Sequence, residues 1–347
     1  MSNPTKNSGA GESARNNKDV DFLGVSMSSN VISLFPAKQV VNRSRLVLLP
    51  VIGLLIFLAM WHLAAREVQT SLGTLPGPVQ TFQQFSNLVD DHWQEREKEQ
   101  AFTERQEKRN AAKLAKNPDT EVKIRPYTGK PTFFDQIVTS LVTVTAGFLL
   151  ATVIAIPLGI VLGLNQGLYQ AFNPIIQLLK PVSPLAWLPI VTMVVSATYV
   201  SDDPMFAKSF INSLLTVALC SLWPTLINTA VGVTSVDKDL INVSKVLQLS
   251  WWQHIRTIVL PSAIPMIFTG LRLSLGIAWM VLIAAEMLAQ NPGLGKFVWD
   301  EFQNGSSASL GRIMVAVITI GFIGLMLDRG MLQLQKWLSW NKQQALR

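Results

Sequence analysis

The chain of 347 residues is 49% apolar, only 15% charged, and carries a formal charge of +7. That balance argues against one or two soluble domains and for a chain that lives in a bilayer. A single cysteine, Cys220, excludes disulfides and thiolate metal sites, and three scattered histidines (His62, His92, His254) argue against a histidine metal cluster.

The first 45 residues are polar, rich in Ser and Asn, and hold no apolar core followed by a small-residue cleavage site, so they read as a tail rather than a secretory signal. The first apolar run, 46–65, is long enough to remain as an anchor. Six spans are expected, at about 46–65, 137–164, 174–200, 207–231, 264–289 and 310–330. No charge occurs from Gln136 to Leu179, from Pro181 to Ser201, or from Ser209 to Val236, and a span needs only about 20 apolar residues.

Basic residues set the orientation. Lys6, Arg15, Lys18, Lys38, Arg43 and Arg45 precede the first span, and Arg329, Lys336, Lys342 and Arg347 surround the end of the last. Both ends, 1–45 and 331–347, are therefore expected in the cytoplasm, and the acidic loop with Asp202 and Asp203 outside. The core is expected over 137–330, five spans with a cytoplasmic loop at 237–261.

Residues 66–136 form an extracytoplasmic excursion. A Pro-Gly turn leads into a short amphipathic helix bearing Val79, Phe82, Phe85, Leu88 and Val89 on one side. A charged insertion at about 92–130 follows, with Glu104 and Lys108 at i,i+4 and Asn117-Pro118 as a stop. It reads as a solvated helix, and as a docking surface for an external protein in the sharper reading. Its mixed charge argues against a nucleic-acid site, which would show a basic excess.

In the second span, "GIVLG" (Gly159 to Gly163) offers a small-xxx-small face for close helix packing. Lys180, Pro181, Pro184 and Pro189 interrupt the third span. It is either a bent helix or a short cytoplasmic helix followed by a span. Prolines at this depth also suit the wall of a cavity, which makes Pro184 and Pro189 candidates for a translocation path.

The stretch "NVSKVLQLSWWQHIRTIVLP" (Asn242 to Pro261) sits between two spans. Leu240, Val243, Leu247, Trp251, Ile255 and Ile258 recur at intervals of three and four, forming one apolar stripe, while Lys245, Gln248, Gln253 and Arg256 lie largely off it. An amphipathic helix so placed lies on the inner leaflet or is presented to a cytoplasmic protein.

The fifth span carries Arg272 and Glu286, roughly 21 Å apart along one helix at 1.5 Å per residue. They cannot pair with each other, so each needs another span, a wet cavity or the headgroup region. Arg272 is either a structural donor or a fixed positive charge met by a passing anion, and Glu286 a member of a structural or gating ion pair. Beyond it, "NPGLGKF" has Gly-Lys, but Gln290 stands where a phosphate loop needs its first glycine and Phe297 where it needs Ser or Thr. It reads as a turn.

The loop at Asn242–Pro261 resembles that of permease subunits of binding-protein-dependent ABC importers, which follows Glu-Ala-Ala, three residues, Gly, nine residues, Ile, one residue, Leu-Pro. Asn242, Val243 and Ser244 hold the first three positions and Gln248 the glycine, while Ile258, Leu260 and Pro261 match. "SLVTVTAGFLLATVIAIPLGIVLG", "NPIIQLLKPVSPLAWLPI", "AAEML", "FVWDEFQNG" and "LDRG" resemble the nitrate, bicarbonate, sulfonate and taurine branch, most of all its nitrate-type members. The resemblance covers about 46–91 and 131–338 and leaves out the insertion.

The resemblance implies an all-α integral membrane protein of the type I importer fold, with a cytoplasmic coupling helix. It implies two ATP-binding subunits, a second copy of the permease, a periplasmic or lipoprotein solute-binding protein and membrane lipid as partners. ATP and Mg would reside on the ATP-binding subunit, with no cofactor or catalytic residue on this chain. The implied cargo is a small oxyanion, nitrate or nitrite first, then bicarbonate, cyanate, taurine or alkanesulfonates. An ATP-independent secondary transporter and a membrane-anchored interaction protein are the readings of other classes.

Overall fold

The computed structural model describes residues 37–70, 73–117, 122, 124–200 and 205–338. Of the charges that set the orientation, those in 1–36 and 339–347, with Asp202 and Asp203, lie outside the described residues. The chain divides into two units, residues 1–56 and 57–347. The described part of the first is the start of α1 (Ala37–Glu67), where Leu48, Leu49, Ile52 and Leu55 are exposed. Exposed apolar groups on all sides of a helix suit lipid.

The second unit continues α1 into a two-residue ribbon, β1 (Gln69–Thr70) against β2 (Gly73–Thr74). Then come α2 (Pro78–Lys116), α3 (Phe133–Leu164), α4 (Gln166–Leu179), α5 (Pro184–Thr198) and α6 (Lys208–Thr234). After them run α7 (Lys238–Val246), α8 (Trp251–His254), a π-turn (Ile255–Val259), α9 (Leu260–Ala289), α10 (Leu294–Asn304) and α11 (Ser307–Leu338). Among the described residues, five helical stretches are long and apolar enough to cross a membrane, and α4 with α5 makes a bent sixth candidate.

The expected third span at 174–200 is not one helix: α4 and α5 meet at 100°. Pro181 offers no N–H to continue α4. Ser183 then caps α5, its Oγ accepting from the Leu185 N–H at 3.3 Å, and Pro184 opens that helix at its first turn, where a missing N–H costs nothing.

The interior is α6 wedged between α3 and α9. Gly147, Ala151, Ala155, Gly159 and Gly163 fall at every fourth position of α3, and the three glycines meet α6. A Cβ on Gly159 would lie 2.8 Å from the Leu226 carbonyl, and one on Gly163 2.7 Å from the Ala230 carbonyl. The small-residue face read from the sequence is therefore in use, and it extends further than "GIVLG". On its other side α6 brings Gly232 against Ala263 and Met266, and receives Gly270 of α9 at Pro224 and Thr225. Ser274 ties the pair, accepting from the Thr225 N–H at 3.1 Å and bonding its hydroxyl at 2.7 Å. Apolar contact alone does little for helix association in lipid, so close backbone approach and interhelical hydrogen bonds carry it.

The excursion differs from its expected form. The amphipathic helix and the first part of the charged insertion, as far as Lys116, are one helix, α2, of 39 residues. The change in composition at His92 is no backbone break, because neither Gly nor Pro occurs from Val79 to Lys116. The stop is where expected: the Asn117 N–H bonds the Lys113 carbonyl at 3.0 Å. A return segment straps the far half. The Gln106 amide bonds both the N–H and the carbonyl of Arg125, at 3.2 and 3.3 Å, and Tyr127 donates to Glu95 at 2.7 Å. Arg96 reaches Asp135, which also closes the capping box that starts α3 at Thr132.

Two predictions follow from these contacts. Gly159→Val should destabilise the purified protein by about 1–3 kcal/mol of overpacking, read as a lower thermal midpoint. Gly321→Ala, with nothing within 4 Å, should leave the midpoint unchanged. The Tyr127 hydrogen bond and Lys98 hold Glu95 below the ordinary carboxylate pKa, and the same bond raises the Tyr127 phenol. Linkage then sets the signs. The Glu95 contribution is present above about 4.3 and lost as pH falls through the lower folded value; the Tyr127 contribution is present below about 10 and lost as pH rises through the higher one. The distance between spin labels at Arg109 and Thr128 should stay narrow inside that window, and Tyr127→Phe should abolish the alkaline change. A distance insensitive to pH at both limits would contradict the strap.

Candidate functional site

The loop between α6 and α9 is a helix–turn–helix, not the single amphipathic helix expected. Asp237 caps α7, accepting from the Asp239 N–H at 2.9 Å. After Val246 the chain turns at Gln248, whose φ of 49° is left-handed. In the loop pattern that the sequence resembles, this position is glycine, the residue that enters this region freely. Gln248 keeps the turn at a cost of about 1–2 kcal/mol for its Cβ. Ser250 and Gln253 then form a capping box that opens α8. Ser244 spans the turn, its Oγ bonding His254 Nδ1 at 2.7 Å.

The expected stripe therefore splits. Ile255, Ile258 and Val259 are buried in the chain's own body. Val243, Leu247 and Trp251 are exposed, and so is Asn242. Val246, 82% exposed, and Trp252, 71% exposed, join them. The sequence periodicity missed these two because it assumed one unbroken helix. Leu260 is half-buried and Pro261 exposed at the start of α9. Pro261 lacks an N–H, and the π-turn just before it takes up the irregularity, so α8 and α9 run on as one 39-residue rod, Trp251–Ala289.

Along that rod, Arg272 and Glu286 stand too far apart to meet. Arg272 grips Asp328 of α11 through two parallel hydrogen bonds, Nε to Oδ1 at 2.5 Å and Nη2 to Oδ2 at 2.9 Å. The lone positive charge of the sequence reading is thus neutralised by Asp328, which that reading did not pair with it. Trp279 adds a second tie to α11, donating to the Ile320 carbonyl at 3.0 Å, with Gly324 leaving room for its ring.

Glu286 is fully buried, and among the described residues it has no cationic partner, which corrects the expected ion pair. The Ser140 hydroxyl of α3 lies 2.9 and 2.8 Å from its two oxygens, and the Gly295 N–H donates at 3.0 Å. Ser140 in turn accepts from the Leu294 N–H at 2.8 Å. These donors belong to the first turn of α10, so the carboxylate faces the positive end of that helix. A Cβ on Gly293 would collide with the carboxylate itself. The glycine-rich "NPGLGKF" does hold a carboxyl group, and it is the chain's own side chain.

Pro184 and Pro189 both lie on α5, which packs on α6 and α9. Pro184 is half-buried and Pro189 exposed. No group of three or more His, Cys, Asp or Glu able to hold a metal ion occurs among the described residues.

The family described as "Binding-protein-dependent transport system inner membrane component" matches residues 155–339. The chain belongs to this family. It is a permease subunit of the ABC importer class and a multi-pass inner-membrane protein. The bicarbonate transport system permease protein of Synechococcus elongatus is 33% identical over 85% of this chain and 90% of its own length. The nitrate import permease protein of the same organism is 38% identical over 59% of this chain and 72% of its own. An inward-facing form of the MetNI methionine ABC transporter shares the fold, with a TM-score of 0.50 and 13% identity over 59% of this chain and 95% of that one.

In the permease, Arg272→Gln and Asp328→Asn should each lower the thermal midpoint. The double variant should cost less than their sum by about 1 kcal/mol, as expected for groups in contact. Strict additivity would show that the pair is not formed in the membrane.

Proposed function

We propose that this permease forms, with a second copy, the translocation path of an ATP-driven importer for a small oxyanion, and that the turn from α7 to α8 docks on an ATP-binding subunit. The reading rests on one observation: Val243, Val246, Leu247, Trp251 and Trp252 stand exposed on a segment continuous with a membrane-crossing rod. Exposed apolar groups gathered in one place signal an interaction surface. Closure of two ATP-binding subunits would pull on α8 and move α9 as a rigid body. Asn242, Ser244, Gln248, Ile255, Ile258, Leu260 and Pro261 shape this segment; the exposed apolar groups make its contact.

The orientation proposed is the one the basic residues support, with both ends and the α7–α8 turn in the cytoplasm. A solute-binding protein would deliver cargo to the opposite face, and ATP with Mg would be bound by the ATP-binding subunits. Pro184 and Pro189 on the broken α4–α5 pair are the candidates for the path wall. Arg272 and Glu286, both engaged within the chain, act as struts of the path rather than as contacts for the anion.

Nitrate or nitrite is the first cargo proposed, on the likeness to a nitrate import permease. Bicarbonate is the second, and the greater coverage of a bicarbonate permease favours it. Uptake by the reconstituted complex with competing nitrate, bicarbonate and taurine separates them. For the docking surface, Leu247→Asp and Val246→Asp should each lose the co-purifying ATP-binding subunit and ATP-driven uptake while the permease still reaches the membrane. Retention of both would refute the docking site.

A further inference from the structure

We propose that Glu286 is a positioning residue that caps α10 from α9, so that α10 moves as one body with the rod that starts at the α7–α8 turn. This inference rests on the proposed ATP-driven cycle and adds a route by which motion at one face reaches the other.

Helix α10 lacks a side-chain cap of its own. Its N-cap is Gly293, which has no side chain to satisfy the donors of the first turn. Glu286 supplies the missing acceptor from another helix: Gly295 donates to it directly, and Leu294 donates to Ser140, whose hydroxyl lies on the carboxylate. A carboxylate at this depth is costly unless such donors meet it. The two therefore depend on each other: the acid needs the helix end, and the helix end needs the acid. Gly293 and Gly295 leave no room for a Cβ, which holds α10 close to α9 in one register.

From α10 the connection continues. Phe297 packs on Phe133 of α3 with ring centres 4.9 Å apart. Glu301, itself buried, accepts from Ser309 at 2.7 Å and from Arg312 at 3.3 Å, and Arg312 reaches Asp91 of α2 at 3.1 Å. Phe297, Asp300, Glu301 and Asn304 of α10 help to wall a cavity of about 270 Å³ shared with α2 and the segment before α3. Glu286 lies roughly 39 Å along the helix from Leu260. A displacement of the rod would thus reach α10, reshape that cavity and pull on α2.

The test uses the complete complex in lipid, with labels at Met280 on α9 and Phe302 on α10, both exposed, in a Cys220→Ser background. The label-to-label distance in otherwise unmodified protein should be the same in nucleotide-free and nucleotide-trapped states. A distance that changes between them overturns the proposal without any change at Glu286. Glu286→Ala removes the acceptor of both Gly295 and Ser140 and should broaden that distance and lower the anion transported per ATP, while hydrolysis continues. Glu286→Gln keeps an acceptor for Gly295 and should fall between. Gly293→Ala should harm the complex less in the Glu286→Ala background than alone, because the obstructing carboxylate is gone. Unchanged transport per ATP in Glu286→Ala refutes the positioning role. Absence of ATP-dependent uptake in the unmodified complex would instead remove the transport reading beneath it.

Discussion

The approach of α6 to α3 on one side and to α9 on the other, at distances that leave no space for a side chain, is the constraint on which the rest of this structure depends. Burying apolar groups brings little in lipid, so the three helices hold together by what is missing from Gly147, Gly159, Gly163, Gly232 and Gly270. The hydroxyl bonds between Thr225 and Ser274 then lock the register. With α6 fixed, α9 has one available line through the membrane. Its two ends are set by that line: the exposed turn at Trp251 and the buried acid at Glu286.

The two charges of α9 illustrate how a bilayer disciplines ionisable groups. Each finds a partner within the chain. Arg272 is matched by a carboxylate in fork geometry, and Glu286 by neutral donors and a helix end. Each charge joins α9 to a different neighbour, α11 for the first and α3 with α10 for the second. A helix tied at both levels transmits force well and bends poorly. That is the property a subunit needs if another polypeptide drives it.

Much of this was legible in the sequence. The charge-free runs gave the apolar helices, "GIVLG" marked part of the contact with α6, and Pro181 and Pro184 marked the break between α4 and α5. Three features were not legible, each for a physical reason. The shift from apolar to charged residues at His92 suggested a boundary, yet helix continuity depends on backbone permissiveness, which does not change there. The turn at Gln248 was hidden because a left-handed position occupied by glutamine carries no glycine signal. The cradle of Glu286 depends on Ser140, distant in the chain, so no local pattern reports it. Its one local trace was the pair of glycines in "NPGLGKF", which was weighed as a nucleotide loop and set aside. The glycines were informative, but about an internal carboxyl group.

The central claim is that the chain is a gate moved from outside itself, with the α7–α8 turn as the point of attachment. Anion flux into sealed vesicles, compared for the permease alone and for the permease with its ATP-binding subunits and solute-binding protein, addresses it directly. The account predicts uptake only in the full assembly and only while ATP is hydrolysed. Concentrative uptake by the permease alone, with no nucleotide consumed, would contradict it.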